Sequence, residues 1–284
     1  NWTLLVNGVN HHNAQAEQLL RRFAFVPQFR LDDVMVSYAA PGGGVGPHFD
    51  SYDVFLVQGP GRRRWRVARR RAFDLVRGAP LKLIAGFRAE EEFLLEHGDL
   101  LYLPPGWGHD GVALDACFTY SIGFRAPRGA ELGAAFLDWL HERGLPDARY
   151  RDPGLAPARN GARVPRELID HSKRILDRIR WSRRDVEKFV GEYLTAPKPH
   201  VVFRPGKGSR PLARSTVVLD PRTQLLYSGR RFFINGDSLS LAGRKAKSLK
   251  NLADQRSGPG TALIALAPLI SQWHRAGYLH LEKP

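Results

Sequence analysis

One cysteine, Cys117, and one methionine, Met35, stand among 284 residues. A lone thiol closes no intramolecular disulfide and builds no cysteine-ligated zinc or iron–sulfur site, so His, Asp and Glu are left as ligands for any metal. No stretch approaches the roughly 18 consecutive apolar residues of a membrane-spanning helix. A charged-then-apolar leader is also lacking at Asn1, which argues against secretion. The first residue is not Met and the chain runs at once into the apolar Trp2–Val6, so residues upstream of it are expected. These absences point to a cytoplasmic protein of a reducing compartment with no membrane partner.

Acidic residues are the other deficit. Lys and Arg number 43 against 28 Asp and Glu, a formal charge of +15. The excess is not evenly spread. Up to Ala126 there are 14 basic and 13 acidic residues, and the remainder holds 29 and 15. The rear half is therefore a polycation, suited to acidic partners such as a ribosome or RNA, unless it reflects only an Arg-rich composition. With 43% hydrophobic and 10% aromatic residues, the chain can fill one large core and a smaller second one.

The front half reads as short strands: Trp2–Val6, Val34–Ala39, Asp53–Gln58, Arg64–Val67, Leu81–Ile84, Phe93–Leu95, Leu100–Leu103 and Phe118–Phe124, with one helix over Ala14–Phe23. Gly59-Pro-Gly61 marks a hairpin between the third and fourth of these runs. Many short strands with Gly and Pro between them predict a mainly β fold, a barrel or double-sheet jelly roll. Behind Ala126 the apolar spacing becomes helical over Glu131–Arg143, Arg166–Ile179 and Arg183–Leu194, with linkers at Pro146–Val164 and Pro197–Arg214. The tail then mixes strands (Thr216–Leu219, Arg231–Ile234, Tyr278–Leu281), a hairpin at Ser228-Gly229, and helices over Ala246–Gln255 and Thr261–Ala276. That mixture predicts a small α+β winged-helix-like module. The expected division is 1–126, a β catalytic domain; 127–200, a helical dimerisation region with linker; and 201–284, the winged-helix-like domain.

His48-Phe-Asp50 follows a glycine-rich turn, and residues two apart on a strand share a face, so an imidazole and a carboxylate can reach one ion. A second His-x-Asp, His97-Gly-Asp99, looks like an exposed turn that opens a strand. That strand leads to the corner Pro104-Pro-Gly106, which presents His109. His48, Asp50 and His109 together would cap one face of an octahedral ion and leave three positions open, the arrangement of non-haem Fe(II) oxygenases. Taken singly, each His is more readily a packed or hydrogen-bonded core residue; the trio in this order and context favours the metal reading. In Arg62-Arg-Arg-Trp-Arg-Val67, alternation puts Arg63 with Trp65 and Val67 on the inner face, while Arg62, Arg64 and Arg66 read as a solvated basic edge. A buried guanidinium needs a carboxylate, which a dicarboxylate co-substrate chelated to the metal at its other end would supply.

Gly42-Gly-Gly-Val-Gly-Pro-His48-Phe-Asp50, Asp53-Val-Phe, Gly59-Pro-Gly-Arg-Arg-Arg-Trp65 and Gly98-Asp-Leu-Leu-Tyr-Leu-Pro-Pro-Gly-Trp-Gly-His109 together resemble the Jumonji-C group of the cupin superfamily. Within it, the chain is most similar to bacterial ribosomal oxygenases that hydroxylate an arginine of a large-subunit ribosomal protein. The resemblance implies a double-stranded β-helix, a helical dimerisation region and a terminal winged-helix-like module. It implies Fe(II) on His48, Asp50 and His109, with 2-oxoglutarate as co-substrate and dioxygen as oxidant. The co-substrate's basic partner falls on Arg63, with Ser37, Thr119 and Ser121 as further lining. Tyr52 and Asp53 are candidates for holding a substrate arginine, or else plain barrel structure.

Two other readings stay open. Related chemistry would serve a histidyl hydroxylase of a ribosomal protein or an N-methyl-lysine demethylase. A different class would be a non-catalytic ribosome- or RNA-binding cupin. The tail could grip nucleic acid through Arg230, Arg231, Arg244, Lys245, Lys247 and Lys250, or serve as a protein-contact unit, which is preferred here. Apolar surface on Arg166–Ile179 and Arg183–Leu194 predicts a homodimer.

Overall fold

The computed structural model describes residues 1–69, 73–79, 81–151, 157, 159–206 and 210–284. Period-two alternation of buried and open positions builds the front half. Its strands are β1 (Thr3–Val6), β2 (Leu31–Ala39), β3 (His48–Phe49), β4 (Val54–Gln58), β5 (Arg63–Ala68), β6 (Glu91–Leu95), β7 (Leu100–Leu103), β8 (Gly108–Ala113) and β9 (Cys117–Phe124). They form two antiparallel sheets in the orders β1-β2-β9-β4-β7 and β3-β8-β5-β6. Val54, Leu56, Trp65, Val67, Leu95 and Leu103 pack together between the sheets as the inner core. Helix α1 (Ala14–Arg21) covers the outer face of the first sheet, where Leu20 and Phe23 pack on Val34, Ile122 and Phe124. Asn13 starts that helix by accepting from the amides of Gln15 and Ala16, as an N-cap should. This is a double-stranded β-helix.

Three local expectations are corrected. The turn Gly59-Pro-Gly61 is not a hairpin: β4 pairs with β7 and β9, whereas β5 pairs with β6 and β8. The chain instead turns a corner from one sheet to the other. Gly61 has φ of +81°, and a Cβ there would sit 2.2 Å from the Ala116 carbonyl oxygen, so only glycine fits the corner. Leu81–Ile84 is no strand; it holds a single bridge, Leu75 to Ile84. Conversely, the chain after Trp107 continues as β8, so His109 lies on a strand rather than at a corner.

Behind the barrel come α2 (Gly129–Glu142), α3 (Arg166–Leu176) and α4 (Arg183–Thr195). Of the two linkers between and after them, residues 152–156, 158 and 207–209 lie outside the described residues. α2 and α4 meet through Phe136, Trp139 and Phe189, with Trp181 edge-on to Phe136. α3 buries none of its residues and leaves Ile169 and Leu176 exposed.

The tail holds β10 (Thr216–Leu219), β11 (Leu225–Ser228), β12 (Arg231–Ile234), β13 (Asp237–Ser240), β14 (Ser257–Pro259) and β15 (Leu279–Glu282), with helices α5 (Gly243–Gln255) and α6 (Ala267–Ala276). Two small sheets, β14-β10-β15 and β11-β12-β13, close with α5 and α6 over a core that includes Phe232, Leu249, Leu252, Ile270 and Trp273. α4 packs on β11, β12 and β13, and a Cβ on Gly191 would fall 2.3 Å from the Phe233 ring, so helix and sheet lie in close contact. The single helix expected over Thr261–Ala276 is split into a 3-10 turn, Gly260–Leu266, and then α6. Pro268 explains the break: it has no amide hydrogen and is tolerated only in a helix's first turn.

Candidate metal centre

β3 is only two residues long, but its register decides the site. His48 pairs with His109 across to β8, so their imidazoles rise from the same face with ring centroids 4.3 Å apart. Asp50 lies just past β3, with its Oδ2 3.8 Å from Nε2 of His109. One ligand atom from each of the three residues lies within 4.8 Å of the others. Nδ1 of His48 is 2.8 Å from the Gly46 carbonyl and Nδ1 of His109 is 3.1 Å from the Trp107 carbonyl. A proton on each Nδ1 satisfies those carbonyls and leaves each Nε2 as a lone pair aimed at the centre. Burial, with the neighbouring His48, pulls the His109 pKa down to about 4, so its ring is a neutral ligand at physiological pH. Burial raises the Asp50 pKa, and His48 and the Tyr52 hydroxyl oppose that rise. Burial and the negative charges of Asp50, Asp32 and Asp33 push the Tyr52 hydroxyl up to about 12.

Beside this group lies a cavity of about 370 Å³, lined by His48, Asp50, His109, Arg63 and the neighbouring strands. Arg63, Trp65 and Val67 are all buried on the inner face of β5, as alternation predicted. Their neighbours pair outside: Arg62 with Asp115 at 2.8 Å, Arg66 with Asp110, and Arg64 loosely with Glu92 at 3.9 Å. Among the described residues Arg63 reaches one partner by hydrogen bond, the Ser37 hydroxyl at 3.4 Å, while its Nε and Nη2 are buried without one. Thr119 and Ser121 face the same cavity from β9, with the Thr119 hydroxyl donating to Oε1 of Gln58 at 3.3 Å.

The two residues considered for the substrate part company. Tyr52 lines the cavity. Asp53 is not among the lining residues; its carboxylate accepts from Nη2 of Arg30 at 2.6 Å and from the Tyr102 hydroxyl at 2.7 Å. Among the lining residues that went unnoticed in the sequence are Asp33 and Met35. They alternate with Ser37 on β2, so the period-two pattern running back from Ser37 was the signal that could have found them. Gln58 was also missed. Its Nε2 donates to the carbonyls of Gly61 and Phe118, each at 3.0 Å, and pins the corner that delivers Arg63.

The donor set suits a ferrous ion. Two imidazoles and a carboxylate on one side form a mixed nitrogen and oxygen set, unlike the all-oxygen sets of calcium and magnesium. The buried guanidinium, short of two partners, fits a carboxylate in the same cavity.

A JmjC domain model matches residues 18–132, and a ROXA-like winged helix model matches residues 178–279. The ribosomal protein uL16 3-hydroxylase of Escherichia coli K12 is 33% identical over 99% of this chain and 79% of its own length. The chain belongs to the JmjC ribosomal oxygenases. Among solved structures, that of E. coli ycfD aligns with a TM-score of 0.83 at 30% identity, over 99% of this chain and 79% of that one. A structure of the ribosomal oxygenase YcfD from E. coli in complex with cobalt and 2-oxoglutarate aligns at 0.79 and 30%, over 99% and 78%. Among the described residues of this oxygenase chain, no helix is long and apolar enough to cross a membrane.

Proposed function

We propose that the protein is an Fe(II)- and 2-oxoglutarate-dependent oxygenase that hydroxylates an arginine side chain of a large-subunit ribosomal protein in the cytoplasm. One observation carries the reading: three metal-type ligands and a guanidinium with two nitrogens unpaired among the described residues converge on one cavity. His48, Asp50 and His109 would hold the metal. Arg63, with Ser37 beside it, would take the distal carboxylate of 2-oxoglutarate, and Thr119 and Ser121 would line its path. When bound, the metal and co-substrate supply oxidative decarboxylation to succinate and, with dioxygen, insertion of one oxygen atom into a substrate C–H bond. The chain's own part is placement and exclusion of water. Val54, Leu56 and Trp65 wall part of the cavity with apolar surface.

A cationic substrate side chain is supported by the lining. Asp33 is a partly buried carboxylate without an ion-pair partner among the described residues, and it lies on the strand that carries Ser37. Burial and the neighbouring Asp32 raise its pKa, a strain that an incoming guanidinium would relieve. Tyr52 can add a hydroxyl. Asp53 would act behind them through Arg30 and Tyr102. The proposed parts are residues 1–126 for catalysis, 127–200 for dimerisation and 201–284 for the winged-helix-like domain, with the basic rear half facing the ribosome or its RNA. Exposed Ile169 and Leu176 on α3 support a homodimer. Light scattering at micromolar concentration should report twice the chain mass, and a monomer would contradict the dimer.

Mass spectrometry of ribosomal proteins from cells with and without the gene tests the activity. One extra oxygen on an arginine, present only with the gene, is expected. An oxygen on histidine would shift the substrate assignment, and methyl loss with formaldehyde release would replace hydroxylation with demethylation.

A further inference from the structure

We propose that the hollow between the β11–β12 turn and the exposed side of α5 binds the phosphate backbone of RNA. This hollow, about 440 Å³, is far in sequence from the oxygenase centre and shares no lining residue with it. Arg230 enters it from the turn, and Lys247 and Lys250 enter it from successive turns of the helix. None of the three takes part in an ion pair among the described residues. Two of the tail's other cations differ: Arg222 is held by Asp220 at 2.7 Å and Arg256 approaches Glu17 at 3.6 Å. Three cations without an ion pair among the described residues thus share this hollow. Two more cations, Arg244 and Lys245, sit exposed in the first turn of α5, where a helix is better served by carboxylates. A local rule broken at the cost of stability is expected where a surface has a function.

The chemistry of the face selects its partner. It has no large aliphatic side chain, whereas the centres of protein interfaces are apolar or aromatic and poor in lysine. Its one aromatic is Tyr227, whose ring lies 5.0 Å beneath the Lys250 ammonium and whose hydroxyl donates to Asp254. Asp254 is the single carboxylate in the hollow, set against the three cations Arg230, Lys247 and Lys250. Cations around an exposed aromatic are the elements of a single-stranded nucleic-acid groove. The choice of RNA over other polyanions rests on the reading of this chain as a ribosome-directed oxygenase.

Anisotropy of a fluorescein-labelled 20-nucleotide single-stranded RNA, titrated with the full chain at 50 and 200 mM KCl, tests the surface. Three phosphate contacts give a salt slope of about −2, so affinity should fall about 20-fold between the two salts. The exposed double variant Arg230→Gln/Lys247→Gln should leave one contact, a slope of about −0.7 and a loss of only about threefold, with melting temperature and peptide hydroxylation unchanged. Arg230→Glu/Lys247→Glu should weaken binding at 50 mM KCl by tenfold or more. Absence of RNA binding by the wild type, an unchanged salt slope in the double variants, or equal competition by polyglutamate of matched charge would each overturn the proposal. The hydroxylation assay separates the two claims: RNA binding that behaves as expected in a protein without hydroxylase activity supports this surface and removes only the catalytic reading.

Discussion

Arg63 carries an unusual burden for a single side chain. It is buried, with one weak hydrogen bond to Ser37 and two nitrogens left over. Keeping a charged group from water without a full set of partners is destabilising, so the residue weakens the empty protein and is justified only when a carboxylate arrives. Arg63→Met should therefore leave the ligand-free protein as stable as the wild type, or up to about 1 kcal/mol more stable. With Mn(II) as a redox-inert metal, 2-oxoglutarate at a hundred times its Kd should stabilise the wild type by about 2.7 kcal/mol, and the variant should lose most of that gain. Thermal melts with and without the diacid measure both quantities. A variant that keeps the full ligand-induced shift would remove Arg63 from the co-substrate site.

Strand β8 is where an element's identity was hidden and yet decides the site. Its sequence, Gly108-His-Asp-Gly-Val-Ala113, is rich in glycine and charge and carries little apolar alternation, so local pattern alone suggests a loop. Its glycine at 111 has a packing cause: a Cβ there would lie 2.7 Å from the Trp65 ring on the paired strand. Gly111→Ala should cost about 1–3 kcal/mol through overpacking, read as a lower denaturation midpoint at unchanged slope. Because the Trp65 ring lies 5.9 Å from that of His109, the same change should weaken metal binding; a variant with wild-type stability and affinity would refute the packing argument. Elements with strong periodicity, such as α1, β5 and α4, were legible at once, as was the inward face of Arg63. The candidate metal residues His48 and His109 could be picked out from motif and context, but not the β3–β8 register that brings them together. Sheet membership was illegible at Gly59-Pro-Gly61, since a turn sequence fixes a change of direction without saying which neighbours each strand will find.

At the scale of the whole molecule, a polar chain links barrel and tail. Glu17 on α1 accepts from Arg21 at 2.6 Å and faces Nε of Arg256 at 3.6 Å. Arg256 donates to the Asp220 carbonyl at 2.7 Å, and the Asp220 carboxylate holds Arg222 through both oxygens at 2.7 Å and His280 of β15 at 3.0 Å. The His280 bond, opposed by burial and aided by Asp220 and Glu282, raises the pKa of His280 above its ordinary 6.5. Burial works against the Asp220 charge, but His280 and Arg222 outweigh it and hold that carboxyl well below the usual carboxylate range. The signs then differ. The stability from His280 is complete below about pH 6.5 and is lost as pH rises through its raised folded value. The stability from Asp220 is present above about pH 4 and is lost only as pH falls through its lowered folded value. Both operate together between those limits, so the bond between Asp220 and His280 within the tail is firmest in mildly acidic solution. His280→Gln should lower the melting temperature at pH 5.5 by more than at pH 8.5, because the wild type loses the charged bond as pH rises. Equal losses at the two pH values would mean that His280 holds β15 through packing alone and that its charge plays no part in fastening the tail.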